Sequence, residues 1–183
     1  MPNTSARKAV FLDRDGVLIR SDIRDGRPYA ITSASDMEIL PGVHDAAAQL
    51  KAAGFFLVVV TNQPDVVDGS LSRETVETVN AALANELGID DFRVCYEKES
   101  PQSRCYKPKP GMILDAAHDH NLDVTKSYMV GDRWRDIGAG KNAGCYSIFI
   151  DCGYSEQPPE APDATASSLL EAARIILAHA TNG

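Results

Sequence analysis

Short apolar runs alternate along this chain with segments whose apolar residues recur at helical spacing. The first passes from Ala9 through Val10, Phe11 and Leu12 into Asp13, Arg14 and Asp15, and Gly16 breaks it. Phe55–Val60, Phe92–Tyr96, Ser127–Val130 and Tyr146–Ile150 repeat the pattern. These runs are too short for buried helices and predict strands covered on both faces. Between them, Val43, Ala46, Ala47, Leu50 and Ala53 lie on one helical face, and Gly54 stops that helix. Ser72 can cap a second helix that ends at Gly88. Gly111–His120, Ile137–Ala143 (weakened by Gly138 and Gly140) and a stretch around Ser168–His179 complete the helical set. Strands alternating with helices predict an α/β fold with a doubly wound, mostly parallel sheet.

Two stretches stand outside that alternation. Residues 16–41 carry Asp25-Gly26, Arg27-Pro28 and Leu40-Pro41-Gly42, and predict a long ordered loop or small hairpin lying over the first strand's end. Residues 97–110 are polar and irregular, and a Pro-rich segment at 157–162 leads into the last helix. At 183 residues, one domain spanning 1–183 is expected. The 44% hydrophobic and 24% charged content is that of a soluble globular protein. A formal net charge of −8 argues against a nucleic-acid or anionic-membrane partner, and no run approaches the ~20 apolar residues of a membrane span. An N-terminus without an apolar signal segment favours the cytoplasm, as a monomer or weak oligomer. Cys95, Cys105, Cys145 and Cys152 are too few and scattered for a disulfide scaffold.

The chemistry gathers where strands end. Asp13 and Asp15 close the first, Thr61 and Asn62 the second, and Asp132 and Asp136 follow the fourth, while Lys107 and Lys109 sit in the irregular stretch. Any one of these has an ordinary structural explanation: a turn, a cap, a solvated lysine. At the carboxyl edge of one α/β sheet they form a kit for phosphoryl transfer, with nucleophile, proton shuttle, phosphate donors, fixed cation and metal clamp.

Leu12-Asp13-Arg14-Asp15-Gly16, Val60-Thr61-Asn62-Gln63, Lys107-Pro108-Lys109-Pro110-Gly111-Met112 and Met129-Val130-Gly131-Asp132 resemble, in order, the motifs of the haloacid dehalogenase superfamily. Their wording is similar to that of its small branch of D-glycero-D-manno-heptose 1,7-bisphosphate 7-phosphatases and histidinol-phosphate phosphatases, and the likeness runs from about residue 9 to about 155. The resemblance implies a Rossmann-like fold without a large cap domain and hydrolysis of a small phosphorylated metabolite with Mg²⁺. It implies Asp13 as nucleophile forming an aspartyl-phosphate, Asp15 as acid and base, and Thr61 with Asn62 as phosphate donors. Lys107 would be the charge-neutralising cation. Asp13, the Asp15 carbonyl and Asp132 would be the Mg²⁺ ligands. Tyr106, Lys109 and Arg133 are further candidates for substrate contact. Asp136 is read either as an acid supporting that site or as a carboxylate favoured by a helix N-terminus.

The chain departs from the branch twice. Where the branch carries a structural zinc loop of four soft or imidazole ligands, the positions read Cys95, Glu97, Ser103 and Cys105, a poor zinc set, so structural Zn²⁺ is not expected. Tyr106 stands where the heptose enzymes commonly have arginine. A heptose bisphosphate leads the candidate substrates, histidinol phosphate follows, and a receiver-type phospho-acceptor domain is the alternative from another class. The last fits less well, because its acidic pair and its phosphorylated Asp come from different strands.

Overall fold

The structure, a computed structural model, describes residues 6–182. In chain order its elements are β1 (Ala9–Leu12), β2 (Asp22–Arg24), β3 (Arg27–Tyr29), α1 (Val43–Ala52), β4 (Phe56–Asn62), α2 (Arg73–Leu87), β5 (Asp91–Cys95), α3 (Gly111–His120), β6 (Tyr128–Gly131), α4 (Trp134–Ala143), β7 (Tyr146–Ile150), β8 (Ala164–Ala166) and α5 (Leu169–Asn182). Six of the strands form one parallel sheet in the order β5-β4-β1-β6-β7-β8, and β2 pairs with β3 as a separate antiparallel hairpin. The expected doubly wound α/β architecture is present. Among the described residues, no large cap stands over the sheet.

Alternation along each strand builds two cores. Val10 and Leu12 of β1, with Leu57 and Val59 of β4, pack toward α1, α2 and α5. Ala9 and Phe11, with Val58 and Val60, pack toward α3 and α4. A fully buried Phe or Leu contributes about 1.5–3 kcal/mol, so these central strands anchor both layers. β1 pairs with β4 on one side (Leu12↔Val59) and with β6 on the other (Leu12↔Val130). The chain fills the β4 side first and then crosses to β6, so the sheet's switch point lies at the end of β1. Ligands of open α/β sheets bind in the crevice beyond such a point.

The covering stretch is a hairpin, as its Asp-Gly pair suggested. Arg24 pairs with Arg27 across a two-residue turn in which Asp25 has φ 50° and Gly26 φ 73°, both left-handed as the tight hairpin turn requires.

The structure differs from the sequence-based expectations in three places. The helix expected at Ile137 begins at Trp134, because the Asp136 carboxylate accepts the Arg133 backbone N–H at 3.0 Å and closes the first turn. β8 was not expected: Ala164-Thr165-Ala166 carries no apolar run, and it joins the sheet by pairing with Ile148–Ile150 of β7. Cys95 and Cys105 form a disulfide that ties the end of β5 to the irregular stretch. Among the described residues, no helix is long and apolar enough to cross a membrane.

Candidate active site

β1 delivers Asp13 to the switch point, where its backbone N–H donates to the Val130 carbonyl at 3.0 Å and fixes it beside the end of β6. The chain then turns sharply at Gly16, whose φ is 90°. Only glycine serves here for a second reason: a Cβ at this position would lie 1.9 Å from Asp132 Oδ2. Gly131 makes a similar allowance, since its Cβ would lie 2.0 Å from that of Asp136. Two acids are thereby brought up against backbone that offers no side chain in their way.

Lys107 organises the centre. Its Nζ donates to Asp13 Oδ1 at 2.7 Å, to Asp136 Oδ1 at 2.6 Å and to the Val60 carbonyl at 2.8 Å, so its three donors are used. Asn62 holds the loop that carries it: the Lys107 backbone N–H donates to Asn62 Oδ1 at 3.1 Å. Burial opposes the lysine's charge, but Asp13 and Asp136 outweigh it and hold the group above the usual lysine range. The two meanings of Asp136 therefore coexist, since one oxygen caps α4 and the other binds Lys107.

Asp13, Asp132 and Asp136 are all buried and present carboxylate oxygens within 4.8 Å of one another. One ammonium does not balance three such groups. Neither buried oxygen of Asp132 has a partner in good hydrogen-bond geometry, the Tyr154 hydroxyl being the group that comes near it. Burial, and then the charges of Asp13 and Asp136, push its carboxyl well above the usual range, although the nearby Tyr154 hydroxyl works the other way. An oxygen-only set with orphaned buried acceptors suits a hard divalent cation such as Mg²⁺.

The missing counter-charge gives a measurable pH dependence. A carboxyl whose pKa is raised on folding contributes stability below its unfolded pKa and loses it as pH rises through the folded value. Asp132→Asn, assayed in chelator, is therefore expected to gain melting temperature over wild type, with a larger gain at pH 8 than at pH 4. An equal gain at both values, or a loss, would show that Asp132 is not an uncompensated charge. Melting curves at the two pH values decide it.

Asp15 occupies a separate niche. Arg14, almost wholly buried, grips it with Nε at 3.0 Å and the adjacent terminal nitrogen at 3.2 Å, and its other terminal nitrogen binds Asn80 on α2. Gln63 Nε2 donates to Asp15 Oδ2 and to Thr61 Oγ1, each at 2.9 Å. Burial raises the Asp15 carboxyl above its usual range, Arg14 opposes that, and the charge of Asp13 adds to it. The acid two residues from Asp13 is thus inclined to hold a proton, which is what a general acid requires.

Most of these groups line a cavity of about 320 Å³, whereas Asp132 lines a smaller cavity that shares Arg133 and Glu156 with it. Asp13, Asp15, Thr61, Lys107 and Asp136 line the larger cavity together with Arg27 and Tyr29 of the hairpin, and with Asn62, Arg133 and Arg135. Arg133 lines it while pairing with Glu156. Two of the candidates for substrate contact lie elsewhere. Lys109 donates to the carbonyls of Ser100 and Pro101 at 2.8 and 2.6 Å, and Tyr106 packs with the α3 core, and neither lines the cavity. Cys95 and Cys105 are bonded to each other, with Glu97 close by. Arg14 and Arg135 were missing from the sequence-derived site. Arg14 had a signal, because an arginine between two strand-end acids needs a partner when buried.

Comparison with known proteins is consistent with this geometry. The family model of the haloacid dehalogenase-like hydrolases matches residues 22–144. The chain is 32% identical over 196 residues to the D-glycero-D-manno-heptose-1,7-bisphosphate 7-phosphatase of Thermosynechococcus vestitus, covering 94% of this chain and 97% of that protein. The D-glycero-beta-D-manno-heptose-1,7-bisphosphate 7-phosphatase of Rhodopseudomonas palustris is 35% identical over 150 residues, covering 75% and 80%. Among solved structures, the D,D-heptose 1,7-bisphosphate phosphatase of B. bronchiseptica, complexed with magnesium and phosphate, superposes with a TM-score of 0.81 at 26% identity, covering 94% and 99%.

Proposed function

The chain belongs to the haloacid dehalogenase-like hydrolase family, and on that premise we propose that it is an Mg²⁺-dependent phosphomonoesterase that removes the 7-phosphate of D-glycero-D-manno-heptose 1,7-bisphosphate. The observation that carries the proposal is Asp13 at the switch point, ion-paired with Lys107 at 2.7 Å beside the unpartnered Asp132 carboxylate. The heptose substrate is supported by the names of relatives that share nearly the whole chain length.

In this mechanism an Asp13 oxygen attacks phosphorus, and the bond from phosphorus to the sugar oxygen breaks as the aspartyl-phosphate forms. Asp15 gives its proton to the departing alkoxide. It then takes a proton from the water that cleaves the aspartyl-phosphate, which restores the Asp13 carboxylate and the protonated Asp15 and releases phosphate. Thr61 and Asn62 orient the phosphoryl oxygens. Lys107 balances the charge that Asp13 shares with them. Arg14 and Gln63 keep Asp15 in one position between the two proton transfers. Asp13, Asp132 and the Asp15 carbonyl would hold Mg²⁺, which when bound supplies positive charge to the phosphoryl oxygens.

Phosphate release from a panel of phosphorylated metabolites, with Mg²⁺ present, tests the proposal. The heptose bisphosphate is expected to lead, and a panel headed by histidinol phosphate would overturn the substrate assignment. Exhaustive chelation is expected to remove activity while circular dichroism stays unchanged, because the acid cluster sits in a crevice and not in the packed core. Protein prepared without added zinc is expected to contain well under one zinc per chain, since the Cys95 and Cys105 sulfurs are committed to each other. Loss of helical signal together with activity, or stoichiometric zinc, would instead reveal a structural metal.

A further inference from the structure

We propose that Arg27 and Arg135, which line one cavity, form a second anion subsite that receives the distal phosphate of a sugar bisphosphate. The inference rests on the phosphatase assignment above and names the residues that hold the other end of its substrate. Both arginines line the same cavity as Asp13 and Lys107, one from the hairpin and one from α4. Nothing else in the cavity's chemistry uses them.

Arg27 is exposed, and among the described residues its side chain has neither an ion pair nor a hydrogen bond. A cation with no carboxylate to answer it is suited to an anion from outside. Arg135 is the built half of the subsite. Its guanidinium carbon lies 4.5 Å from the centre of the Trp134 ring and 5.7 Å from that of Tyr106, and one terminal nitrogen is anchored to Glu99 at 2.6 Å. Its Nε is buried and has no partner. The side chain is therefore oriented before any ligand arrives, and its other terminal nitrogen, which makes no hydrogen bond among the described residues, is left to give to an anion.

The arrangement also accounts for Tyr106. An arginine at that position would bring a guanidinium into the loop beside Lys107, whereas here a ring takes the position and Arg135 lies near it. The cation is supplied from α4 instead of from the loop. Asp65 and Glu156 also line the cavity and would repel an anion. Glu156 is answered by Arg133, and Glu99 takes one nitrogen of Arg135, so Arg27 is the unanswered charge of the landing place and Arg135 its oriented donor.

The test compares kcat/KM for the heptose 1,7-bisphosphate and the heptose 7-phosphate in wild type, Arg27→Gln and Arg135→Gln. In parallel, glucose 1,6-bisphosphate and glucose 6-phosphate are compared as inhibitors of p-nitrophenyl phosphate hydrolysis. Each variant is expected to lose about tenfold on the bisphosphate and much less on the monophosphate, and to lose the tighter inhibition by the sugar bisphosphate. Arg27→Gln breaks no contact of the folded protein, so its result stands even if Arg135→Gln folds poorly. Equal losses on both substrates, or an unchanged inhibitor ratio, would overturn the subsite. Wild type that ignores the heptose bisphosphate yet shows the arginine-dependent inhibitor preference would overturn the heptose assignment and leave the subsite standing.

Discussion

In Asp13→Asn, phosphate release is expected to fall by at least about 10⁴-fold while the protein stays folded. The amide oxygen is too weak a nucleophile to form the phosphoryl intermediate, so the reaction loses its first step and not merely a contact. The fold is expected to tolerate the change for reasons visible around the residue. Lys107 keeps Asp136 at 2.6 Å and the Val60 carbonyl at 2.8 Å, and the new amide oxygen can still accept from it. One member of a crowded trio of buried acids also loses its charge, which relieves Asp132 and Asp136 of a repulsion that raises both their pKa values. Melting in chelator is therefore expected to be unchanged or slightly higher than in wild type. Steady-state phosphate release from the purified variant decides the matter. A rate within a hundredfold of wild type would sink the covalent mechanism, and a collapsed melting curve would show that Asp13 is needed for folding.

Much of this site is readable in the chain because strand ends are. β1, β4 and β6 announce themselves as apolar runs, and the polar residue after each can only emerge at the carboxyl edge of the sheet. Asp25-Gly26 similarly dictates a hairpin turn through the positive φ it permits. What was not legible depends on contacts between distant segments. β8 is Ala-Thr-Ala, a strand by virtue of its neighbour β7 and not of its own composition. Lys109 has the same residue type and loop as Lys107, yet local carbonyls of Ser100 and Pro101 claim it. Arg135 reads as one more surface residue of a helix, and its entry into the cavity depends on how α4 lies beside the Tyr106 loop. The Cys95–Cys105 bond belongs to this class too, since it needs the end of β5 and that loop to approach each other.

Replacing Lys107 with methionine is expected to cost both activity and about 3–5 kcal/mol of stability in chelator. Methionine fills much of the lysine's volume, so the loss is one of charge more than of packing. It leaves Asp13 and Asp136 buried beside each other without a counter-ion and removes the donor to the Val60 carbonyl. Arginine is not expected to rescue it, because a planar fork cannot replace three donors radiating from one nitrogen in a space this closely filled. The pH dependence identifies the cause. In wild type the raised Lys107 pKa gives a contribution that is fully present below the ordinary lysine value near 10.4 and lost only as pH climbs through the raised one. It is therefore constant across neutral pH. In the variant, the Asp136 carboxyl loses the cation that pulls its pKa down, and its ionisation then opposes folding. The penalty is accordingly small near pH 4, where the acids can stay protonated, and grows toward pH 8. Urea unfolding of both proteins at the two pH values measures it, and a difference that does not change with pH would mean that Lys107 contributes through packing alone.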